Sequence, residues 1–160
     1  MNELVIDASC ILEFLLNQAG KDSVVNTVGA ARLVAPNGAS CILEFLLNQN
    51  GKDAVVNTVG SARLVAPSCL PFEIGNAISK LIKRKLISIY DGISVYHEFA
   101  RIPMRLMEPD IPNSILIAGE TESYAYDSYY ISLAKQLSLP LYTIDGTMKS
   151  NAVSRGIACL

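Results

Sequence analysis

The feature that most constrains the fold is a short apolar run, Leu4-Val5-Ile6, which ends on Asp7 and leads directly into a helical pattern. An unbroken apolar run of this length is typical of a strand that helices cover on both faces of a parallel sheet. Asp7 then lies at the carboxyl end of the strand, the edge at which open parallel sheets bind ligands. Residues 141–145 have the same pattern, because an apolar strand again closes on an acid, Asp145. Two strand-terminal acids in one chain are the first indication of a functional site.

The composition bounds what the chain can be. With 160 residues, of which 51% are hydrophobic and 18% charged, it can bury one core, so we predict a single domain over residues 1–160. The net charge of -2 provides no general attraction to nucleic acid, so such binding requires a local basic patch. The four cysteines lack metal-finger spacing, and only one histidine accompanies them, which favours free thiols in a reducing cytoplasm. The sequence shows no targeting segment and no apolar run of about 18 residues, so we expect a cytoplasmic protein that does not enter the membrane.

An internal repeat occupies the first half of the chain. Residues 8–36 and 39–67 have the same sequence except at the pairs Ala19/Asn50, Ser23/Ala54 and Ala30/Ser61. A unit that occurs only twice indicates a tandem duplication, natural or engineered, and not a solenoid. Each copy predicts two helices and a short strand, but only the first copy follows a buried strand and its acid. Which copy occupies the native place stays open; the surplus copy is expected to add a layer at a sheet edge or to exchange between two chains.

Downstream of the repeat, strands and helices alternate, which predicts an α/β fold with a mainly parallel sheet. The expected helices cover residues 72–85, 88–102, 114–120, 126–137 and 146–155, and the expected strands cover residues 64–66, 105–108, 141–145 and 157–160. The apolar side of the first of these helices consists of Ile74, Ile78, Leu81 and Ile82. The second helix begins at a capping box of Ser88 and Asp91, and its expected inward residues are Ile89, Ile93, Tyr96 and Phe99. Tyr130 lies on an apolar helix side and is expected in the core.

Four acids carry the chemical signal. Asp7 and Asp145 end strands, whereas Glu73 and Asp127 lie in first helical turns. Both kinds of position line one edge of a parallel α/β sheet, so the four carboxylates are expected to converge. Converging carboxylates repel one another, and a hard divalent cation such as Mg²⁺ relieves that repulsion. A pair of such ions can activate a water and stabilise the leaving oxygen of a phosphodiester, whereas the lack of a histidine or cysteine cluster argues against zinc.

Each of these residues also has a structural interpretation. An acid after a strand commonly caps the next helix, and an acid in a first turn commonly complements the helix dipole. The cations Lys80, Lys83, Arg84 and Lys85 are either a solvated helix end or a patch that guides an RNA backbone toward Glu73 on the same side of the helix. The hydroxyls of Ser9 and Thr143 either orient carboxylates and water or serve ordinary strand and cap roles.

The ordered motifs resemble those of PIN-domain nucleases, especially the VapC-like toxins of toxin–antitoxin modules. The matching stretches are Val5-Ile6-Asp7-Ala8-Ser9, Phe72-Glu73-Ile74-Gly75-Asn76, Tyr126-Asp127-Ser128-Tyr129-Tyr130 and Thr143-Ile144-Asp145. The resemblance implies a three-layer α/β/α sandwich, homodimerisation, endoribonuclease activity and inhibition by an antitoxin whose tail enters the acidic groove. It further implies that Asp7, Glu73, Asp127 and Asp145 hold Mg²⁺ or Mn²⁺, with Ser9, Asn76 and Thr143 as supporting residues.

The duplicated block departs from the family pattern, which has a single helix pair between the first acid and the glutamate. The extra residues could displace Glu73 relative to Asp7 or obstruct the groove. The sequence therefore supports two hypotheses: a metal-dependent ribonuclease, and a PIN-like protein that holds RNA or an antitoxin without cleavage. A receiver-like phosphotransfer domain also places acids at strand ends, but no lysine ends a strand here in the way that such domains require.

Overall fold

A computed structural model describes residues 3–18 and 62–160 of the chain. The strands in these residues are β1 (Glu3–Ile6), β2 (Arg63–Pro67), β3 (Met104–Met107) and β4 (Leu141–Tyr142). The helices are α1 (Ala8–Gln18), α2 (Leu70–Lys83), α3 (Ile89–Ala100), α4 (Ile111–Thr121), α5 (Ala125–Leu137) and α6 (Gly146–Ser154). In this part of the chain, no helix is both long and apolar enough to cross a lipid bilayer.

The described strands form one sheet in the order β3-β2-β1-β4, and every pair is parallel. The central strand β1 is buried from Leu4 to Ile6, as its unbroken apolar sequence predicts. Beyond β4, the predicted strand over residues 157–160 is reduced to a single parallel bridge between Cys159 and Leu141. The prediction of a mixed α/β fold with a parallel sheet is confirmed.

Both copies of the repeat contribute to the described structure. The helix α1 consists of first-copy residues, whereas β2 consists of second-copy residues and pairs with β1 through Leu4–Leu64 and Val5–Val65. The structure therefore uses the first copy directly after β1 and the second copy directly before α2. The predicted helix and strand at residues 24–28 and 33–35, and the helices of the second copy, lie outside the described residues.

The described residues divide into two compact units. The first contains residues 3–10, 62–70 and 103–160, and thus the sheet with α4, α5 and α6. Within it, α5 packs on β1, β2 and β4, and also on α4 and α6. Tyr130, Ile131 and Leu133 of α5 are fully buried, which confirms the prediction that Tyr130 belongs to the core.

The second unit contains residues 11–18 and 71–102, which include α2 and α3. The predicted capping box at the start of α3 is confirmed, because Ser88 N donates to Asp91 Oδ2 and Asp91 N donates to Ser88 Oγ, each at 3.1 Å. The apolar side of α2 is confirmed as well, with three residues buried and Ile82 half-buried; the buried ones are Ile74, Ile78 and Leu81.

The predicted inward side of α3 is wrong for three of its four residues. Ile89, Ile93 and Tyr96 are 62%, 51% and 39% exposed, and only Phe99 is buried. The buried side consists of Gly92, Val95 and Phe99. At Gly92 the two helices approach closely, since a Cβ atom there would lie 2.8 Å from Ile82 Cδ1 and 2.9 Å from Ile78 Cγ2. The absence of a side chain at Gly92 therefore sets the rotation of α3, and hydrophobic periodicity alone does not reveal it.

Several predicted boundaries also change, and capping explains two of the changes. The predicted strand over residues 141–145 ends at Tyr142, because Asp145 caps α6 through a hydrogen bond from Met148 N to Oδ1 at 2.9 Å. The predicted helix over residues 114–120 begins earlier, at Ile111, because Asp110 caps it by accepting from Asn113 N at 3.0 Å.

Candidate functional site

Asp7 lies between the end of β1 and the start of α1, and only 4% of its surface is exposed. Its Oδ2 atom accepts hydrogen bonds from Ser9 Oγ and from Thr143 Oγ1, the latter at 2.9 Å. Burial raises the pKa of Asp7 above its ordinary value, while the two hydroxyl donors oppose that rise. The carboxylate is therefore held in one orientation by groups that also favour its charged form.

Thr143 connects the two strand-terminal acids. Its hydroxyl donates to Asp7 and also accepts from Asp145 N at 3.0 Å. This connection follows from topology, because β1 and β4 pair in parallel and their carboxyl ends meet at one edge. The prediction that Ser9 and Thr143 orient a carboxylate agrees with their contacts.

Asp145 is the N-cap of α6, which is the helix-capping role that an acid after a strand commonly has. The cap bond uses Oδ1, and no described residue donates a hydrogen bond to Oδ2. Its negative charge still acts on the other two aspartates, because it raises the pKa of both Asp7 and Asp127. Capping and participation in an acidic site are therefore compatible for this residue.

Asp127 lies in the first turn of α5, where it is half-buried. Burial, and after it the negative charges of Asp145 and Asp7, together raise its pKa from 3.8 to about 6. No hydrogen bond from a described residue offsets this rise. The three aspartates thus interact electrostatically, and no hydrogen bond compensates the cost of ionising Asp127 within the described residues.

Three of the four predicted acids, Asp7, Asp127 and Asp145, interact electrostatically within the first compact unit. Glu73 lies in the first turn of α2, within the other compact unit, where it is half-buried. Asn76, predicted as a supporting residue, is exposed on the same helix. The predicted RNA-binding cations are also exposed, and all lie at the C-terminal end of α2; they are Lys80, Lys83 and Arg84.

Carboxylate oxygens suit Mg²⁺ and Mn²⁺ better than softer metals, so the donor set of the three aspartates fits the implied ion in its chemistry. In the described residues, however, no three acidic, histidine or cysteine side chains are close enough to form a preformed metal cluster. Mg²⁺ commonly keeps several waters and binds only one or two carboxylates directly. Asp7, Asp127 and Asp145 are therefore described residues whose chemistry suits such an ion.

Cys10 contacts this region, and sequence reasoning treated it only as a buried thiol. Its Sγ donates to Tyr142 O at 3.6 Å, and the same carbonyl accepts from Asp7 N at 3.1 Å. The available signal was the three-residue spacing from Asp7, which directly precedes α1, to Cys10 in the first turn of that helix. Cys10 thus helps to join the start of α1 to the end of β4.

Comparison with known proteins adds no assignment: no protein-family model matches the chain, and no curated protein matches it. Functional inference therefore depends on the chemistry of the aspartates themselves.

Proposed function

We propose that the chain is a divalent-metal-dependent endoribonuclease of the PIN-like, VapC-like kind, with a three-layer α/β/α sandwich. The observation that carries this proposal is the mutual repulsion of Asp7, Asp127 and Asp145, which contributes to a pKa of about 6 at Asp127. Like charges kept together at the carboxyl ends of parallel strands destabilise a fold, so their presence favours a functional role. The resemblance of the sequence motifs supports RNA as the substrate.

In this proposal each aspartate has a distinct task. Mg²⁺ or Mn²⁺ supplies an activated water and stabilises charge on the phosphodiester when it is bound. Asp7 provides an oriented ligand, since Ser9 and Thr143 fix its Oδ2 atom. Asp145 is held by its cap bond and by Thr143, and Asp127, which accepts no hydrogen bond from a described residue, would join them as a ligand of the ion. Fixed ligands reduce the reorganisation that ion binding requires.

The remaining predicted residues enter the proposal through the resemblance. Glu73 completes an acidic quartet, Asn76 supports it, and Lys80, Lys83 and Arg84 contact the RNA backbone. The same resemblance supports a toxin that forms a homodimer and is inhibited by an antitoxin protein. These partners can be tested separately from the chemistry.

The direct test is cleavage of single-stranded RNA in the presence of Mg²⁺ or Mn²⁺. We expect Asp7→Asn and Asp127→Asn to reduce the rate on the order of 100-fold or more, the scale for loss of an essential catalytic group. A suitable control is Glu98→Gln, which removes one negative charge from an exposed ion pair on α3. Equal cleavage by all variants would indicate a contaminating nuclease and contradict the proposal.

A second candidate function is binding of RNA or an antitoxin without cleavage. The duplicated block favours it, because two copies of the repeated sequence lie between Asp7 and Glu73, where the family pattern has one. Calorimetric titration with Mg²⁺ and Mn²⁺ separates the two functions. A folded chain that binds RNA but neither ion would favour the non-cleaving protein.

A further inference from the structure

The first turn of α5 lacks the side-chain cap that other described helices have. Asp110 caps α4, Asp145 caps α6, and Ser88 with Asp91 forms the capping box of α3. The N-cap of α5 is Tyr124, whose side chain makes no cap hydrogen bond. Serine, threonine, asparagine and aspartate are preferred at an N-cap, because their side chains satisfy a free backbone N–H group. Tyr124 therefore occupies a position where helix formation alone favours another residue.

Asp127 also leaves its local capping role unused. It is the third residue of α5, the position that Asp91 has in α3, where Asp91 accepts from the backbone N–H of Ser88 at 3.1 Å. Asp127 accepts no hydrogen bond from Tyr124 or from another described residue. It interacts electrostatically instead with the other two aspartates of the site. Departures from local preference of this kind are expected where a functional site overrides them.

Two exposed aromatic rings flank Asp127. Tyr124 is 82% exposed, and Tyr126, which directly precedes Asp127, is 52% exposed. Tyr124 and Asp127 are three residues apart, a spacing that makes side chains neighbours on a helix. The rings of Tyr126 and Tyr129 meet edge to face, with centroids 5.6 Å apart and an interplanar angle of 71°. This contact restrains the Tyr126 ring and leaves at least one of its faces uncovered by Tyr129.

Attraction between charges does not account for binding of a nucleotide at this turn. The three aspartates repel a phosphate backbone, and the described cations of the first compact unit do not offset that repulsion. Arg105 and Arg155 are in ion pairs, and the Lys149 ammonium donates to a backbone carbonyl at 3.5 Å. Arg63 begins β2 and Lys135 lies in the last turn of α5, so both lie at the ends of these elements that are remote from the acids. An uncharged contact is therefore the one that this unit offers to a nucleotide beside the aspartates.

We propose that Tyr124 and Tyr126 bind the substrate by stacking on unpaired bases next to the scissile phosphodiester. Stacking on an aromatic ring does not depend on charge and accepts any base, because every base has a π-face. It requires an unstacked base, which duplex RNA does not present. The inference rests on the proposed function and adds to it the residues that recognise the bases, and with them a requirement for an unpaired base beside the cleavage site.

The first experiment separates contacts to bases from contacts to phosphates. Fluorescence anisotropy with the full chain in EDTA compares a labelled oligouridylate with an abasic oligomer of the same length, which carries the same phosphates without bases. The unsubstituted chain should bind the oligouridylate at least about 5-fold more tightly, the lower limit for one base–aromatic stack. Tyr126→Ala should weaken binding of the oligouridylate by about 5- to 150-fold and leave the affinity for the abasic oligomer unchanged, whereas Tyr126→Phe should retain both.

The second experiment separates binding from folding. Tyr124→Ser supplies the missing cap, so the equilibrium constant for folding, measured by urea denaturation, should increase by about 2- to 30-fold. The same substitution removes the ring, so the affinity for the oligouridylate should fall while stability rises. A purely structural role of Tyr124 does not combine these two changes.

The matched control is Tyr90→Ala. Tyr90 is 83% exposed and lies in the first turn of α3, a helix of the second unit whose capping box is intact. Its removal should change neither the affinity for the oligouridylate nor the preference over the abasic oligomer.

Several results would overturn this inference: equal binding of the two oligomers, no binding of the oligouridylate in EDTA, or unchanged affinity of both Tyr124→Ser and Tyr126→Ala. Dissociation of a dimer of this chain by either substitution, with RNA affinity intact, would identify a protein interface and overturn it too. The two proposals fail differently. Tyrosine-dependent binding without metal-dependent cleavage contradicts only the nuclease, whereas cleavage with unchanged kcat/KM in both variants contradicts only the role of the tyrosines.

Discussion

Asp127→Asn should stabilise the metal-free protein at neutral pH. The pKa of Asp127 is about 6 in the folded chain, against an ordinary value of 3.8. At 1.36 kcal/mol per pKa unit, this difference corresponds to about 3 kcal/mol. Because Asp127 is only half-buried, solvent screening reduces the expected cost of its charge to about 1–2 kcal/mol.

The sign follows from proton linkage. Between pH 3.8 and about 6 the folded state binds the proton of Asp127 more tightly than the unfolded state does, so this contribution to stability is lost as the pH rises through 6. Asparagine keeps the shape of the side chain without the charge. The variant should therefore gain about 1–2 kcal/mol at pH 7, equivalent to about 2–8 °C in Tm, and nothing at pH 3.5.

The assay is urea denaturation in EDTA from pH 3.5 to 8, with Glu98→Gln as the control for removal of a negative charge. Glu98 is exposed and pairs only at the surface, so its variant should change stability by less than about 0.5 kcal/mol at every pH. Equal or lower stability of Asp127→Asn at pH 7 would refute the conclusion that burial and neighbouring charges oppose ionisation of Asp127.

Other side chains give independent tests of the described contacts by urea denaturation. Thr143→Val should raise the pKa of Asp7 further and lower the free energy of unfolding by about 1–3 kcal/mol, because a buried carboxylate loses a hydrogen-bond donor. Thr143→Ser keeps the donor, so it should leave both the pKa and the stability unchanged. Gly92→Ala should be destabilising, since overpacking costs about 1–3 kcal/mol and replacing a helical glycine gains only about 1 kcal/mol. Gly75→Ala should be stabilising by about 1 kcal/mol, because no described atom beyond the backbone of α2 itself lies within 4 Å of the added Cβ; a loss of stability would contradict the helix packing. Ser88→Ala should cost about 1 kcal/mol through loss of the capping box, and an unchanged free energy of unfolding would contradict that role.

The parts of the fold that depend on local pattern could be predicted from the sequence. An apolar run such as Leu4-Val5-Ile6 has few alternatives to a buried parallel strand, and the side of α5 that carries Tyr130 follows from its period. The rotation of α3 could not be predicted, because Ile89 and Ile93 have the spacing of a buried side. The deciding residue is Gly92, whose effect depends on the shape of the neighbouring helix.

The same distinction applies to the candidate site. The approach of Asp7 to Asp145 is predictable, since both acids follow strands and parallel strands end at one edge. The sequence left two roles open for Asp145, a helix cap and a member of the acidic site. A short strand sequence does not show where strand pairing ends and helix capping begins. The assignment of Glu73 to a different compact unit depends on contacts between residues far apart in the chain, which neither spacing nor periodicity contains.

Removal of one copy of the repeat should leave every described element intact. Deletion of residues 8–38 joins Asp7 to Ala39, and residues 39–49 have the same sequence as α1, so β1 still leads into an identical helix. The second copy already provides β2, so the pairing of β1 with β2 is also preserved. A shorter connection changes chain entropy only slowly, at about 0.6 kcal/mol per doubling of length, so the free energy of unfolding should change by about 1 kcal/mol through this effect. Circular dichroism and urea denaturation can measure both expectations. Failure of the shortened chain to fold would show that residues outside those described here are essential to the sheet, and would contradict the view that one copy suffices for α1 and β2.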